Sequence, residues 1–248
     1  MAARLLLIED DASIARFVEL ALDGLPDHDP QAPAVELTVV ASLREARAAL
    51  AAGGWQLVIS DLMLPDGSAE SLLAEGLALG AGAPPWVVFS AGVQEERRAT
   101  LAARGVACLL RKPVPLMELL DTIAGLLRQR PPVSAAPLAP PPVADPVQQH
   151  FGGDRALFDS FRSGCLARFA DDLAQGHAAQ ASGDAAALRR VAHGLKAVLV
   201  LIGEPELAAQ ARALEDATAA CAPGQPLPPG WEPLAFGLEG LRAAAGLS

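Results

Sequence analysis

Five times in the first half of the chain, a short apolar run is followed by a longer segment with apolar residues at helical spacing. The runs are 5–8, 35–40, 57–60, 86–90 and 107–110, rich in Leu, Val and Ile, as strands buried on both faces are. Helical patterns follow from Ser13 onward and over 43–52, 68–79, 95–103 and 116–128; in the first, Ile14, Phe17, Val18, Ala21 and Leu22 make one apolar face. Five such repeats predict a doubly wound α/β domain, a parallel sheet with helices on both faces. One interval breaks the rhythm. Residues 24–34 contain three prolines and read as a loop longer than the ~2–6 residues of an ordinary α/β connection.

Beyond residue 130 the pattern changes. Residues 131–146, PPVSAAPLAPPPVADP, hold seven prolines and no core-forming periodicity. They predict a polyproline spacer of ~3.1 Å per residue, roughly 50 Å at most; a ligand for a proline-binding module is the other reading. From 147 to 248 the periodicity is helical throughout. Leu157, Phe158, Phe161, Cys165, Leu166, Phe169 and Leu173 mark one long helix over 156–181. Leu188, Val191, Leu195, Val198 and Ile202 mark a second, opened by Asp184 as N-cap and closed by Gly203. A third starts at Glu204-Pro205, with Leu207, Ala211 and Leu214 inward, and a fourth runs over 231–245. Four antiparallel helices predict an all-α four-helix bundle. The expected division is therefore an α/β domain over 1–130, a linker over 131–146 and a helical domain over 147–248.

Charge removes whole classes of partner. The net −10 divides as −6 over 1–130 and −3 over 147–248, with Asp145 supplying the remainder, so no basic domain hides within the acidic total. Nucleic acid and anionic membranes are excluded as partners on that ground. Cys108, Cys165 and Cys221 lack metal-ligand spacing and are odd in number, as expected of reduced thiols in a cytoplasmic protein. The apolar run 5–8 is too short for a signal peptide's core, and no run reaches the ~20 residues of a membrane span.

The candidate chemistry lies where strands end. In a parallel sheet the loops after all strands open on one edge. That edge collects Glu9 and Asp10 after the first strand, Asp61 at the end of the third, Ser90 after the fourth and Lys112 after the fifth. A lone acid at a strand end is usually no more than solvated, but carboxylates that converge repel one another and call for a cation. Oxygen donors of this kind suit Mg²⁺. Lys112 is the only lysine in the first 130 residues.

These residues resemble the response-regulator receiver family: the acid pair Glu9-Asp10, Asp61 in DLMLPDG, Ser90-Ala91 and Lys112-Pro113, in order and at the expected strand ends. The resemblance implies a flavodoxin-like fold and a phosphoryl acceptor at Asp61. It implies Mg²⁺ held by Asp10, Asp61 and the main-chain carbonyl of Met63, with Glu9 acting through water. It also implies Ser90 bonded to a phosphoryl oxygen and Lys112 paired with the acyl phosphate. Asp11, a third neighbouring acid, is read as helix N-terminal charge. One departure stands out: receivers usually carry an aromatic residue three positions before the lysine, and here that residue is Leu109. This puts long-range switching and dimerisation through that surface in doubt.

In the second domain His193 lies about 160° around the helix from Leu195, at about 100° per residue. It is expected to be an exposed imidazole ringed by Arg189, Arg190 and Lys196, with small Gly194 and Ala197 allowing another surface to approach. Neutral imidazole is nucleophilic near neutral pH. The stretch AHGLKAVLVLIGEPELAAQARALE, 192–215, resembles the signature of histidine-containing phosphotransfer (HPt) domains. The resemblance implies His193 as phospho-acceptor supported by Lys196. His28, His150 and His177 match nothing and are expected at the surface.

Together these features predict a cytoplasmic two-component phosphorelay protein. Asp61 accepts a phosphoryl group from a histidine kinase, and His193 accepts or donates one, within the chain or with separate receiver or HPt proteins. No ATP-binding domain is recognised, so the chain is not expected to be an enzyme. Monomer and weak dimer both remain open. The alternative is a non-catalytic, phosphorylation-dependent docking module that regulates a sensor kinase or partner receiver.

Overall fold

The computed structural model describes residues 2–80, 82–90, 95–128, 145–221 and 225–247, with the backbone alone at 90, 95 and 96. The chain divides into two compact units, Met1–Val143 and Ala144–Ser248. No helix among the described residues is long and apolar enough to cross a membrane.

The first unit runs β1 (Ala3–Ile8), α1 (Ala12–Asp23), α2 (Leu25–His28), β2 (Val35–Val40), α3 (Leu43–Ala52), β3 (Leu57–Asp61), β4 (Met63–Leu64), β5 (Gly67–Ser68), α4 (Glu70–Ala74), β6 (Trp86–Ser90), α5 (Glu95–Ala103), β7 (Val106–Arg111) and α6 (Leu116–Leu127). The five long strands form one parallel sheet in the order β2-β1-β3-β6-β7. The order reverses direction between β1 and β3, which is the flavodoxin-like doubly wound arrangement, and ligand sites lie at such reversals. Strands β1, β3 and β6 occupy the middle. Leu5, Leu6, Leu7, Leu57, Val58, Val87 and Val88 are wholly buried, because helices cover both faces.

Three details differ from the sequence expectation. The interval 24–34 is not all loop: Pro26 lies in the first turn of α2, where its missing N–H costs nothing. This short helix is fastened to α6 by His28 Nε2 to Asp121 Oδ1 at 2.8 Å and by Asp29 Oδ2 to Arg128 Nη1 at 2.6 Å. Helix α4 is five residues long, far shorter than 68–79. Its N-cap, Ala69, offers no side-chain cap, and Gly76 turns the chain away with φ of 79°. Before it, Pro65-Asp66 closes a small hairpin that pairs Met63 with Ser68 and Leu64 with Gly67. Sequence alone does not show this hairpin, since two-residue strands carry no periodicity.

The second unit holds α7 (Pro146–Phe151), α8 (Arg155–Ser182), α9 (Ala185–Leu201), α10 (Pro205–Ala219) and α11 (Trp231–Ala244). Asp145, Asp154 and Asp184 cap α7, α8 and α9, accepting from the N–H groups of Val147, Leu157 and Ala187. Contacts run α8 to α9, α9 to α10, α10 to α11 and α11 back to α8, while α7 packs on α8 and α9. Most of the expected linker, 131–144, falls outside the described residues. Its last two residues do not behave as spacer, since Asp145 and Pro146 open α7. That helix also overturns the expectation for His150, which is buried at 4% exposure beside Phe151. Burial holds its imidazole below the usual histidine range, and its Nδ1 has no hydrogen-bond partner. His177 stays exposed, its Nδ1 accepting from Trp231 Nε1 at 3.1 Å.

Two glycines of this unit make the packing testable. A Cβ at Gly176 would stand 2.0 Å from the ring of buried Trp231, whereas one at Gly240 on α11 would meet nothing within 4 Å. Gly176→Ala is expected to destabilise the second unit by about 1–3 kcal/mol, the usual cost of overpacking. Gly240→Ala should stabilise by roughly 0.4–1 kcal/mol, through the unfolded chain. Thermal unfolding of the full chain, followed by circular dichroism, checks both directions.

Candidate functional site

Register brings the first cluster together. Ile8 pairs with Ser60, so the residues that follow, Glu9 and Asp61, leave adjacent strands side by side. Lys112 follows β7 and reaches back across β6. Its Nζ donates to Glu9 Oε2 at 2.8 Å and to Asp61 Oδ2 at 2.7 Å. Side-chain exposure is 6% for Lys112, 1% for Glu9 and 5% for Asp61, so one ammonium is buried against two carboxyl groups. Asp10 is half-buried, and one oxygen each from Glu9, Asp10 and Asp61 lies within 4.8 Å of the others.

The cluster is short of positive charge. Burial first, with Asp61 adding, pushes the Glu9 carboxyl up to about 8 despite the lysine. Burial and then Asp61 likewise raise Asp10. Burial alone would lower the Lys112 ammonium, but Glu9 and Asp61 outweigh it and hold the group above its ordinary value. A hard divalent cation would relieve this imbalance, and an all-oxygen donor set fits one. The other Asp61 oxygen, Oδ1, accepts from the N–H groups of Leu62 at 2.5 Å and Met63 at 3.3 Å. Those two bonds fix the carboxylate and the chain just after it. Met63 is exposed in β4.

The neighbours are placed as follows. Asp11 turns away to cap α1, accepting from Ser13 N at 2.8 Å and Ile14 N at 3.3 Å, in the helix role expected of it. Ser90 ends β6 opposite Arg111, but its side chain lies outside the described residues, as does Ala91. Leu109 packs against the core cluster of Trp86, Val88, Leu101 and Val106.

The second candidate centre is organised differently from the expectation. His193 is not an open imidazole in a ring of cations. Its side chain is 26% exposed, and Nδ1 lies 2.6 Å from Glu215 Oε1 on α10. Lys196 Nζ donates to the other oxygen of the same carboxylate, Oε2, at 2.5 Å. Arg189 and Arg190 are exposed on the same helix. Ala197, expected beside a landing surface, is buried at 6%. The physical reason is that α9 packs along α10, so the side of α9 opposite its apolar stripe is only partly open.

Burial by itself raises the Glu215 carboxyl, but hydrogen bonds from His193 and Lys196 outweigh it and hold the group at about 2. Glu215 is therefore a carboxylate at neutral pH and accepts a proton-bearing Nδ1. That tautomer leaves the lone pair on Nε2, for which no hydrogen bond is found among the described residues. Sequence reasoning gives Glu215 no role. Its one signal is its place as the last residue of the HPt-like stretch 192–215, and its link to His193 becomes readable only once α9 and α10 are known to pair.

Comparison with solved structures finds likeness over about half of this chain, its N-terminal half. A chemotaxis response regulator of Vibrio cholerae is 21% identical, with a TM-score of 0.43, over 51% of this chain and 99% of its own. The receiver domain of a sensor histidine kinase from Pseudomonas aeruginosa, solved with magnesium in its active-site cleft, is 21% identical, with a TM-score of 0.43, over 52% of this chain and 99% of its own. A phosphorylated cyanobacterial phytochrome response regulator is 24% identical, with a TM-score of 0.42, over 51% and 91%. No family model and no curated protein matches the chain.

The Glu215 bridge carries a pH dependence. The folded value, about 2, lies below the ordinary 4.5, so the bridge contributes fully above about pH 4.5 and is lost as pH falls toward 2. The second unit is expected to lose stability across that window, and Glu215→Gln to flatten the loss. Urea unfolding at a series of acid pH values checks this.

Proposed function

We propose that the chain is a two-component phosphorelay protein, a receiver followed by an HPt domain, with Asp61 and His193 as its two phosphoryl acceptors. The observation that carries the reading is the meeting of Glu9, Asp10 and Asp61 with Lys112 at the reversal point of a parallel sheet. A buried, cation-deficient carboxylate cluster is poorly suited to holding a fold together. It is well suited to receiving a phosphoryl group with its counter-ion. The ring of helices α8 to α11 is read as the four-helix bundle of the HPt part, with α7 as an extra turn.

In this reading Asp61 attacks phosphorus in line. A P–O bond to its carboxylate forms as the donor's P–N bond breaks, and the donor imidazole keeps the electron pair. Lys112, already bonded to Asp61 Oδ2, moves onto the charge of the arriving group. Mg²⁺ held by Asp10, Asp61 and the Met63 carbonyl, with Glu9 acting through water, would supply the missing positive charge. At His193 the Nε2 lone pair attacks phosphorus while Nδ1–H stays on Glu215, which offsets the imidazolium charge that develops. Asp61 then leaves as a carboxylate and pairs again with Lys112. The partners are phosphohistidine donors such as a histidine kinase, and receiver or HPt proteins that exchange phosphate with either site. Turnover of a small substrate is not part of the reading.

A second reading, a phosphorylation-dependent docking module whose helical unit only binds a partner, is favoured by Leu109. An aliphatic side chain packed in the core offers no ring to reorient on phosphorylation.

Labelling separates the two. With acetyl phosphate and Mg²⁺ the chain is expected to acquire a base-labile phosphate that Asp61→Asn removes. With phosphoramidate it should acquire an acid-labile, base-stable phosphate that His193→Gln removes. Label on Asp61 with none on His193 would favour docking over relay. If the Asp61→Asn chain, offered acetyl phosphate, still carries label on His193 at the normal level, transfer between the two sites of one chain is wrong.

A further inference from the structure

Asp66 stands at the turn of the β4–β5 hairpin, outside the acid cluster and exposed to solvent. Its carboxylate reaches across 23 residues of sequence to the start of α3, where Oδ1 accepts from Leu43 N at 2.8 Å. Oδ2 accepts from Arg44 N at 3.1 Å. A surface acid at a helix N-terminus ordinarily serves the helix. Here the helix already has its own cap. Ser42 Oγ accepts from Glu45 N at 3.2 Å, and the Glu45 carboxylate accepts from the N–H of Ala41, just before the cap, at 2.9 Å. What lacks support is the hairpin: two residues per strand do not hold themselves together in water.

The hairpin is held from two sides. At its start, Asp61 Oδ1 grips the N–H groups of Leu62 and Met63. At its tip, Asp66 ties it to α3. Between them Leu64 is buried in the core cluster together with Leu43, and a Cβ on Gly67 would lie 3.0 Å from Leu43 Cδ1. Met63, the residue whose main-chain carbonyl the proposed function assigns to the metal, is the first residue of this hairpin.

We infer that Asp66 is a positioning residue for the metal site: by clasping the first turn of α3 it fixes the hairpin whose Met63 carbonyl completes the ligand set of Asp10 and Asp61. The inference rests on the receiver reading and extends it to a residue that touches neither metal nor phosphate. Loss of an outer support of this kind typically weakens metal binding by about 10–100-fold.

The test is calorimetric titration of the full chain with Mg²⁺. Asp66→Ala is expected to weaken binding by about 10-fold, at the lower end of that range, because Asp10 and Asp61 remain. Asp66→Asn keeps an oxygen for Leu43 N and should recover part of the loss. Ser42→Ala removes the helix's own cap, should lower thermal stability, and should leave Mg²⁺ affinity unchanged, which separates positioning of the hairpin from stabilisation of α3. Equal affinities for Asp66→Ala and the unaltered chain would overturn the inference, and so would equal weakening by Asp66→Ala and Ser42→Ala. Failure of the unaltered chain to bind Mg²⁺ would instead overturn the receiver reading, and the inference with it.

Discussion

The structure of the first unit turns on a local excess of negative charge that the fold itself creates. Parallel strands deliver whatever follows them to one edge, and here the middle strands deliver carboxylates into a place with little water. One ammonium cannot neutralise them all. Lys112 bridges Glu9 and Asp61 at short distance, yet Glu9 is still held near 8 and Asp10 is still raised. Burying such a set stabilises nothing by itself, because desolvation of each ion costs several kcal/mol that imperfect pairing does not return. A further cation, as the proposed function supplies, would offset that excess.

The second centre solves a related problem with the signs rearranged. A single carboxylate, Glu215, serves two cationic or potentially cationic partners, His193 and Lys196, and is drawn down to about 2. It orients one ring nitrogen and leaves the other, Nε2, as the proposed acceptor. Its neighbours are complementary, so it adds stability where the first cluster withholds it. In both centres hydrogen bonds orient the proposed nucleophile, Leu62 and Met63 N–H on Asp61 Oδ1 and Glu215 on His193 Nδ1.

Peripheral elements explain how the rest of the first unit serves its edge. Helix α2, pinned to α6 by the His28–Asp121 hydrogen bond and the Asp29–Arg128 ion pair, turns an apparent loop into structure. The hairpin after β3, which shares only Ser68 with the expected helix, is tied down through Asp61 and Asp66. Both are short, both depend on contacts with residues distant in sequence, and neither has a periodic pattern of its own.

That contrast marks what could be read from the chain. Apolar runs and helical stripes were enough for the parallel sheet, the helices of the second unit and the meeting of Glu9, Asp10, Asp61 and Lys112, because strand direction alone fixes which edge a following residue occupies. Cap residues were legible too: Asp11 and Asp184 act within three residues of themselves. The surroundings of His193 were not, since a helical wheel gives direction but not what lies in that direction. Glu215 sits 22 residues away and only the packing of α9 on α10 brings it to the imidazole. His150 was misjudged for the same reason, its burial depending on a one-and-a-half-turn helix laid against α8 and α9. Periodicity, being local, was enough for the elements and for the edge on which the first cluster gathers; tertiary packing alone decided what surrounds His193, because electrostatic environment is set by neighbours in space.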